Sequence, residues 1–212
     1  LFRSNPVHTY ADTGTYTVTL LVKNYTTGCE YSKSITLKVL FEKASFTVSD
    51  SVICRNNSIT FTATVNNPLN VAAYQWDFGD GGIANNSTAT HTYTVAGKYT
   101  IRLVVTDLLG CKDTLTKPLY IEVNGPVANF APAVAGSCLL SAVNFTDNSI
   151  TDGIHPIIRW IWNYGDGITD TLTTPPFQHV YAAPGIYTVS LKLLDTKGCI
   201  DSVVNNSVLT IS

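Results

Sequence analysis

One block of sequence recurs three times along this chain, and the spacing of its copies limits what the chain can fold into. Each copy contains His-x-Tyr, then Gly-x-Tyr followed by alternating apolar residues, then Gly-Cys. The three copies begin at His8, His91 and His179. A period of about 85 residues predicts tandem domains of equal size.

A second block precedes only two of these copies. Residues 74–81 read YQWDFGDG and residues 160–167 read WIWNYGDG, whereas only seven residues precede His8. We therefore expect residues 1–40 to be the C-terminal half of a domain within a longer protein, and 41–124 and 125–212 to be complete domains. The half domain would leave its core face and strand edges open to another chain.

Apolar and polar residues alternate after each Gly-x-Tyr. In the second repeat Tyr99, Ile101, Leu103 and Val105 occupy every second position, and the other repeats share the pattern. A period of two predicts a strand with one face in a core. No segment has a helical period. Six or seven short strands per repeat, with Trp on a middle strand, predict an all-β chain of tandem Ig-like β-sandwiches.

The composition excludes several classes of function. Charged residues make up 13% of the chain, the net charge is −2 and apolar residues make up 45%. A nucleic-acid partner is not expected, because such proteins carry a basic surface. Charge-driven disorder is excluded by the apolar share. No apolar run reaches the roughly 18 residues of a membrane span, so the chain is not expected to be membrane-spanning.

The ordered motifs closely resemble the PKD domain family. The added Gly-Cys and an earlier cysteine in each whole repeat are similar to PKD arrays of secreted and surface proteins in gliding or adhesive Bacteroidetes. Asn163 and Tyr164 depart from the usual Asp and Phe. The resemblance rests on Trp76, Asp77, Gly79, Asp80, Gly81, His91, Tyr93 and Tyr99, and on Trp162, Asn163, Gly165, Asp166, Gly167, His179, Tyr181 and Tyr187.

The acidic residues of the Gly-Asp-Gly segments have two interpretations. Asp77, Asp80 and Asp166 suit tight turns, in which Asp bonds to nearby backbone and Gly takes a positive φ. Calcium is the alternative, since the resemblance includes peptidase PKD domains that bind it, but six to eight ligands are needed and Asn163 removes one carboxylate. We expect turns, with no metal and no cofactor.

The histidines and tyrosines also have a structural interpretation. A His–Asp pair suggests catalysis, but no Ser or Cys nucleophile recurs in phase with it, so no catalytic residue and no enzyme activity are predicted. We expect His8, His91 and His179 to fix the corner before the strand, and we assign no role to His155, a loop residue. Tyr10, Tyr93 and Tyr181 resemble a tyrosine corner, with the hydroxyl bonded back to the backbone.

The tryptophans are expected in the core. Trp160 and Trp162 are two positions apart on one strand and therefore share a face with Tyr164. In an Ig-like sandwich that face points inward. A sugar-stacking platform on the surface is the alternative.

Cys54, Cys111, Cys138 and Cys199 are disulfide candidates, which predicts an oxidising compartment. Pairs within domains would be Cys54–Cys111 and Cys138–Cys199. These cysteines belong to opposite ends of a sandwich, about 30 Å apart, whereas a disulfide needs Cα atoms within about 7 Å. An interdomain Cys54–Cys199 bond is favoured, and Cys29 has no partner in either scheme.

Four Asp-Ser/Thr-apolar segments resemble the Bacteroidetes O-glycosylation acceptor. The candidate acceptors are Ser51, Thr114, Thr171 and Ser202. Asp and Thr are common here, so chance matches are the alternative explanation.

The expected function is that of a non-catalytic extracellular or cell-surface spacer, stalk or filament segment of a large adhesin or secreted protein. Its partners would be neighbouring repeats or other surface proteins. The alternative is an accessory module that binds polysaccharide or protein for a secreted hydrolase, which an exposed aromatic stripe would favour.

Overall fold

The structure, a computed structural model, describes residues 5–132, 136–205 and 209–212. Within these ranges the regular structure is β-strand except for one 3-10 turn at Pro68–Asn70. The all-β prediction is confirmed. The described part of the chain contains no candidate for a membrane-spanning helix.

The strands follow the order of the repeats. The first five are β1 Gly14–Lys23, β2 Glu30–Val39, β3 Ser45–Val48, β4 Val52–Cys54 and β5 Ser58–Thr64. The next five are β6 Val71–Asp77, β7 Ile83–Ala84, β8 Thr88–Thr92, β9 Gly97–Asp107 and β10 Lys112–Asn124. The last ten are β11 Phe130–Pro132, β12 Gly136–Ser137, β13 Ala142–Asp147, β14 Ile157–Asn163, β15 Thr169–Leu172, β16 Phe177–Val180, β17 Gly185–Tyr187, β18 Ser190–Asp195, β19 Ile200–Val204 and β20 Leu209–Ile211.

The chain divides into two compact units, and the division does not follow the repeats. The first unit comprises Leu1–Val48, Phe61–Ala89 and Ile101–Lys117. The second comprises Ser49–Thr60, Thr90–Thr100 and Pro118–Ser212. The boundaries expected from the repeats therefore stay a prediction.

The first unit begins with the antiparallel hairpin β1–β2, paired from Gly14 with Val39 to Lys23 with Glu30. The apolar side chains of this hairpin are largely exposed, with Leu20 65% exposed. Leu103, at the equivalent position of the next repeat, is completely buried. The hairpin thus has the alternation of a core strand without the burial.

The rest of the first unit has an aromatic core. Strand β3 pairs antiparallel with β5, and β6 pairs antiparallel with β7 and β9. Trp76 lies between these strands with its ring 5.3 Å from Phe46 and 5.7 Å from Phe61. Period-two alternation accounts for this core, because alternate residues of each strand point to one side.

The second unit contains the sandwich of the third repeat. Its sheets have the orders β11-β13-β16, β12-β20-β17 and β15-β14-β18-β19. Phe130, Phe145, Trp162, Tyr164 and Leu191 form its core. The strand expected to run on from Tyr187 is interrupted between β17 and β18 at residues 188–189.

The second unit also contains the end of the second repeat. Strand β4 pairs in parallel with the last residues of β10, so that Cys54 lies opposite Asn124. Strands β12 and β20 repeat this parallel pairing, with Ser137 opposite Ile211. Each complete repeat therefore ends beside its own early cysteine.

Candidate functional site

The residue two positions before each Gly-Asp-Gly segment closes a turn by accepting a hydrogen bond from the backbone. Oδ1 of Asp77 accepts a hydrogen bond from the N–H of Gly79 at 2.9 Å, and Oδ1 of Asn163 accepts one from Gly165 at 3.0 Å. Asn keeps the acceptor oxygen that the turn uses. The departure at Asn163 therefore preserves the turn while removing a charge.

The Asp inside each Gly-Asp-Gly segment also accepts a hydrogen bond from the backbone N–H two positions later. Oδ1 of Asp80 accepts from the N–H of Gly82 at 2.9 Å, and Oδ1 of Asp166 accepts from Ile168 at 3.0 Å. The glycine that follows each Asp has a φ of 93°. Among the described residues no group of three His, Cys, Asp or Glu side chains gathers in a way that could hold a metal ion.

His179 is fixed by Asp166 and by two aromatic rings. Its Nε2 lies 2.7 Å from Oδ2 of Asp166, and its ring stacks on Tyr164 at 3.9 Å. Burial acts to raise the pKa of Asp166, but the hydrogen bonds from His179 and from the backbone N–H of Ile168, together with the charge of His179, hold the pKa below its usual value. His179 is itself buried.

The His-x-Tyr triplet has one geometry in all three repeats. The His and Tyr rings meet edge to face, with centroids 4.6 Å apart at His8–Tyr10, His91–Tyr93 and His179–Tyr181. The geometry shared by the three repeats fits the structural corner predicted from the sequence, and that role stays a prediction.

Tyr181 makes the predicted bond from its hydroxyl to the backbone, and a second tyrosine makes a bond of shorter range. The hydroxyl of Tyr181 donates to the carbonyl of Tyr164 at 3.0 Å. The bond to a carbonyl four residues upstream belongs to the Gly-x-Tyr residues, such as Tyr187, which donates to Ala183 at 2.8 Å. Tyr16 and Tyr99 make the equivalent bonds.

The glycine of Gly-x-Tyr accommodates this ring. A Cβ at Gly185 would lie 3.4 Å from the ring of Tyr187, and one at Gly14 would lie 3.3 Å from Tyr16. The tyrosine thus folds back over a residue without a side chain. At Gly97 the same Cβ would lie 3.8 Å from Tyr99, which is an ordinary contact, so the close approach is found in the first and third repeats.

The two tryptophans of the third repeat differ in environment. Trp162 is completely buried and lies parallel to Tyr164 with centroids 6.3 Å apart. Trp160 is half-buried at the edge of the same face, packs on Phe177 at 5.6 Å and donates from its indole N–H to Asp147 at 2.6 Å. Trp160, Phe177, Pro175 and Pro176 line an open groove.

A disulfide joins Cys54 to Cys199, with Cα atoms 5.4 Å apart and a sequence separation of 145. This is the interdomain pairing favoured from strand length, and the pairs within domains are not formed. Cys29, Cys111 and Cys138 are free and exposed.

Backbone contacts surround the disulfide. The N–H of Arg55 donates to the carbonyl of Asn124 at 2.8 Å, and its Nη1 donates to the carbonyl of Pro126 at 3.1 Å. Gly125 has a φ of 126°, and a Cβ there would lie 3.2 Å from both Cys199 Cβ and Arg55 Cγ. The bond between Asn124 and Gly125 therefore passes directly beside the disulfide.

A buried carboxylate completes this junction. Asp152 has a side chain 3% exposed and accepts hydrogen bonds from the N–H groups of Gly125, Ile154 and His155 at 3.1, 2.9 and 2.7 Å. Its Oδ2 also lies 2.8 Å from Nδ1 of His155. Burial acts to raise the pKa of Asp152, but the hydrogen bonds from His155, Ile154 and Gly125 hold it well below its usual range.

Sequence reasoning missed this part of the junction. It treated His155 as a loop residue without a role and did not single out Asp152. The only signal was an Asp-Gly dipeptide, which indicates a turn but does not show that the turn faces Gly125.

The glycosylation candidates lie on or beside strands. Thr114, Thr171 and Ser202 are exposed, and Ser51 is half-buried. Two of the preceding aspartates already have a structural role. Asp113 accepts from the N–H of Ala44, and Asp201 accepts from the N–H of Ala128, both at 2.8 Å. The fold therefore explains why Asp recurs at these two positions, and glycosylation stays a prediction.

These features define a class of protein, a tandem β-sandwich whose recurring residues build cores, corners and a covalent junction. The family comparison is more specific. The PKD domain model matches residues 43–123 and 124–211, so the chain belongs to the PKD domain family. PKD domains are non-catalytic modules.

Several proteins from distant organisms are similar to this chain. Human polycystin-1 is 27% identical over 187 residues, which is 85% of this chain and 4% of polycystin-1. Collagenase ColA of Clostridium perfringens is 37% identical over 81 residues, 37% of this chain and 7% of the collagenase. The chain thus spans a small part of the relatives it matches.

A solved structure also matches one repeat. The crystal structure of the PKD1 domain from the Vibrio cholerae metalloprotease PrtV is 30% identical and has a TM-score of 0.34. The match covers 42% of this chain and 98% of that domain.

Proposed function

We propose that this chain is a non-catalytic spacer segment of an extracellular or cell-surface protein, built from PKD repeats joined by a disulfide. The single observation that carries the proposal is the Cys54–Cys199 bond, since Cys54 lies in the first matched PKD segment and Cys199 in the second. A bond between consecutive repeats restricts the angle between them, which suits a spacer.

The residues that suggest catalysis have structural roles, which supports the same proposal. Asp166 is hydrogen-bonded to His179, and His179 is buried between Tyr164 and Tyr181. A catalytic base has to reach substrate. Here the imidazole is enclosed by the core of its own repeat.

The extracellular location is argued from the disulfide. Disulfides persist in oxidising compartments and are rare in reducing ones. The boundaries 1–40, 41–124 and 125–212 belong to the proposal, with residues 1–40 as half of a repeat.

The spacer proposal is tested by measuring how firmly the junction holds. Spin labels are attached through a ketone-bearing amino acid at Asn57 and Thr171, which are both exposed. We expect a narrow distance distribution in the oxidised chain and a broader one in Cys54→Ser. Equal widths in both would contradict a spacer stiffened by the disulfide.

Binding of polysaccharide or protein is the second candidate function. It is favoured by the groove beside Trp160, where an aromatic ring, Pro176 and the carboxylate of Asp147 meet. Carbohydrate sites commonly combine a ring for stacking with polar groups for hydroxyls. The test is affinity electrophoresis against a polysaccharide panel and collagen. Retarded migration that Trp160→Ala abolishes and Tyr74→Ala preserves would favour this function over the spacer.

A further inference from the structure

Each of the two loops joined by the disulfide occurs a second time in the chain. We name residues 54–57 and 138–141 the early loops, and residues 107–111 and 195–199 the Gly-Cys loops. The early loop of Cys54 is bonded to the Gly-Cys loop of Cys199. The second copies carry Cys138 and Cys111, which are both free and exposed.

The two early loops have the same backbone geometry. The residue two positions after the cysteine has a positive φ in both, 66° at Asn56 and 64° at Leu140. Asn56 N–H donates to the carbonyl of Tyr93 at 2.8 Å, and Leu140 N–H donates to Tyr181 at 3.2 Å. The loop that carries Cys138 therefore has the same turn and the same backbone hydrogen bond as the loop that carries Cys54.

The last residue of each complete repeat is also hydrogen-bonded to the same position of its own early loop. Arg55 N–H donates to the carbonyl of Asn124 at 2.8 Å, and Leu139 N–H donates to that of Ser212 at 2.9 Å. Asn124 is followed by Gly125, whose neighbour in space is Cys199. Ser212 therefore occupies the position from which a following repeat would bring its own Gly-Cys loop to Cys138.

The two Gly-Cys loops match as closely. Asp195 N–H donates to the carbonyl of Cys199 at 3.1 Å, and Asp107 N–H donates to that of Cys111 at 2.9 Å. Oδ1 of Asp195 accepts from Cys199 N–H at 2.8 Å, and Oδ1 of Asp107 accepts from Cys111 N–H at 3.0 Å. Cys111, which has no disulfide partner, therefore already has the backbone geometry that Cys199 has in the disulfide.

Cys111 and Cys138 are not partners of each other in this arrangement. In the observed bond the early loop belongs to the earlier repeat and the Gly-Cys loop to the later one. Cys111 and Cys138 have the opposite order, with the Gly-Cys loop in the earlier repeat. Cys138 therefore needs the Gly-Cys loop of a repeat after its own, and Cys111 needs the early loop of the repeat before its own.

We propose that Cys138 is half of a second interdomain disulfide, and that its partner is the Gly-Cys loop of a further PKD repeat placed after Ser212. By the same symmetry Cys111 takes the early-loop cysteine of a repeat placed before it. The inference rests on the spacer function proposed above and extends one joint into a series.

The bond forms by thiol–disulfide exchange with a small-molecule disulfide such as oxidised glutathione. A cysteine thiolate attacks the small molecule, forms a mixed disulfide and releases one thiol. The second cysteine then displaces the other thiol. Two protein thiols lose two electrons and two protons, and one small-molecule disulfide becomes two thiols.

The experiment gives Cys138 the partner that the proposal names. A copy of residues 125–212 that carries Cys138→Ser and Ile200→Val is fused directly after Ser212 of the full chain, because Ser212 occupies the position of Asn124. The Ile200→Val change gives the Cys199 peptide of the copy its own mass, and the Cys138→Ser change leaves the original Cys138 as the single cysteine at that position. The protein is oxidised in glutathione buffer, free thiols are alkylated, and disulfides are mapped by non-reducing peptide mass spectrometry. The original Cys54–Cys199 bond in the same molecule reports that folding and oxidation have succeeded.

We expect Cys138 to bond to Cys199 of the added copy as completely as Cys54 bonds to the original Cys199. Cys29 and Cys111 should stay alkylated, because the added copy supplies no early loop before them. In the matched Cys138→Ser variant, Cys199 of the copy should become alkylated while the original bond persists.

Two outcomes would overturn the inference. One is an alkylated Cys138 in molecules that contain the Cys54–Cys199 bond, and the other is Cys138 bonded to Cys111. Both leave the spacer function standing. Absence of the Cys54–Cys199 bond itself would instead remove the support for the spacer function, so the two failures are distinguishable.

Discussion

The carboxylate of Asp152 accepts a hydrogen bond from the backbone N–H of Gly125 at 3.1 Å, 27 residues earlier in the chain. Gly125 is the residue whose Cα passes beside the Cys54–Cys199 bond. The junction therefore combines a covalent bond with a buried charge, and each part can be tested separately.

Asp152→Asn should lower the free energy of unfolding by about 1–3 kcal/mol at pH 7, because the amide nitrogen cannot accept the bonds that Oδ2 accepts. The turn bonds to Oδ1 remain possible for Asn, which limits the loss. Urea unfolding followed by tryptophan fluorescence measures the change. Asp50→Asn is the control, since Asp50 is exposed and bonds only to Val52 N–H through Oδ1 in the described contacts, and it should change stability by less than about 0.5 kcal/mol.

The same carboxylate should make the junction sensitive to acid. The pKa of Asp152 is lower in the folded chain than the unfolded value of about 3.9, so its contribution is full above about pH 5 and is lost as the pH falls towards the folded pKa. Asp166 acts in the same direction. Unfolding at pH 7 and pH 3 should show a smaller acid loss in Asp152→Asn than in the natural chain, and equal losses would contradict the assignment.

The two glycines of the third-repeat turn should respond differently to alanine. Gly165 and Gly167 both have positive φ, but a Cβ at Gly165 would lie 2.5 Å from the carbonyl oxygen of Thr188, whereas one at Gly167 meets nothing within 4 Å. Gly165→Ala should cost about 3–5 kcal/mol, and Gly167→Ala about 1–2 kcal/mol. Thermal unfolding by circular dichroism separates them, and equal effects would show that close packing is not what Gly165 provides.

Removing the disulfide should destabilise the second unit. The bond closes a loop of 145 residues, for which chain entropy predicts about 5 kcal/mol, and measured losses of about 2–5 kcal/mol are usual. The comparison is best made in a chain with Cys29, Cys111 and Cys138 changed to Ser, so that thiol exchange is excluded. Urea unfolding with and without reductant should then differ, and a further Cys54→Ser change should abolish that difference.

Trp162→Ala should destabilise the chain more than Trp160→Ala. Trp162 is completely buried, so truncation leaves a cavity that costs about 3–5 kcal/mol. Trp160 is half-buried beside an open groove, and about 1–2 kcal/mol is expected there. Denaturant midpoints measure both, and the reverse order would contradict the placement of Trp162 in the core.

Much of the fold could be predicted because residues that recur at the same position of each repeat have the same structural role. Trp76 lies between the polar residues Gln75 and Asp77, and Trp162 shares a strand face with Tyr164, which places both in the core without any coordinates. The disulfide could also be predicted, since strand length separates Cys54 from Cys111. These inferences depend on periodicity and distance, which a sequence records directly.

The remaining features depend on contacts that periodicity does not encode. The bond from Tyr187 to the carbonyl of Ala183 could not be predicted, because alternation along a strand does not show that the ring folds back over Gly185. Asp152 meets Gly125 only after two separate loops have been folded together. Trp160 shares a face with Trp162, but its position at the end of that face leaves it half-buried.

The placement of Asn124 beside Cys54 has a mechanical consequence. Tension in the third repeat has two covalent routes into the second repeat. One runs through Gly125 and the main chain into β10, and the other runs through Cys199 and Cys54 into β4. Because β4 and β10 run in parallel at this point, both are pulled in the same direction, and neither strand is peeled away from the other by the force it shares.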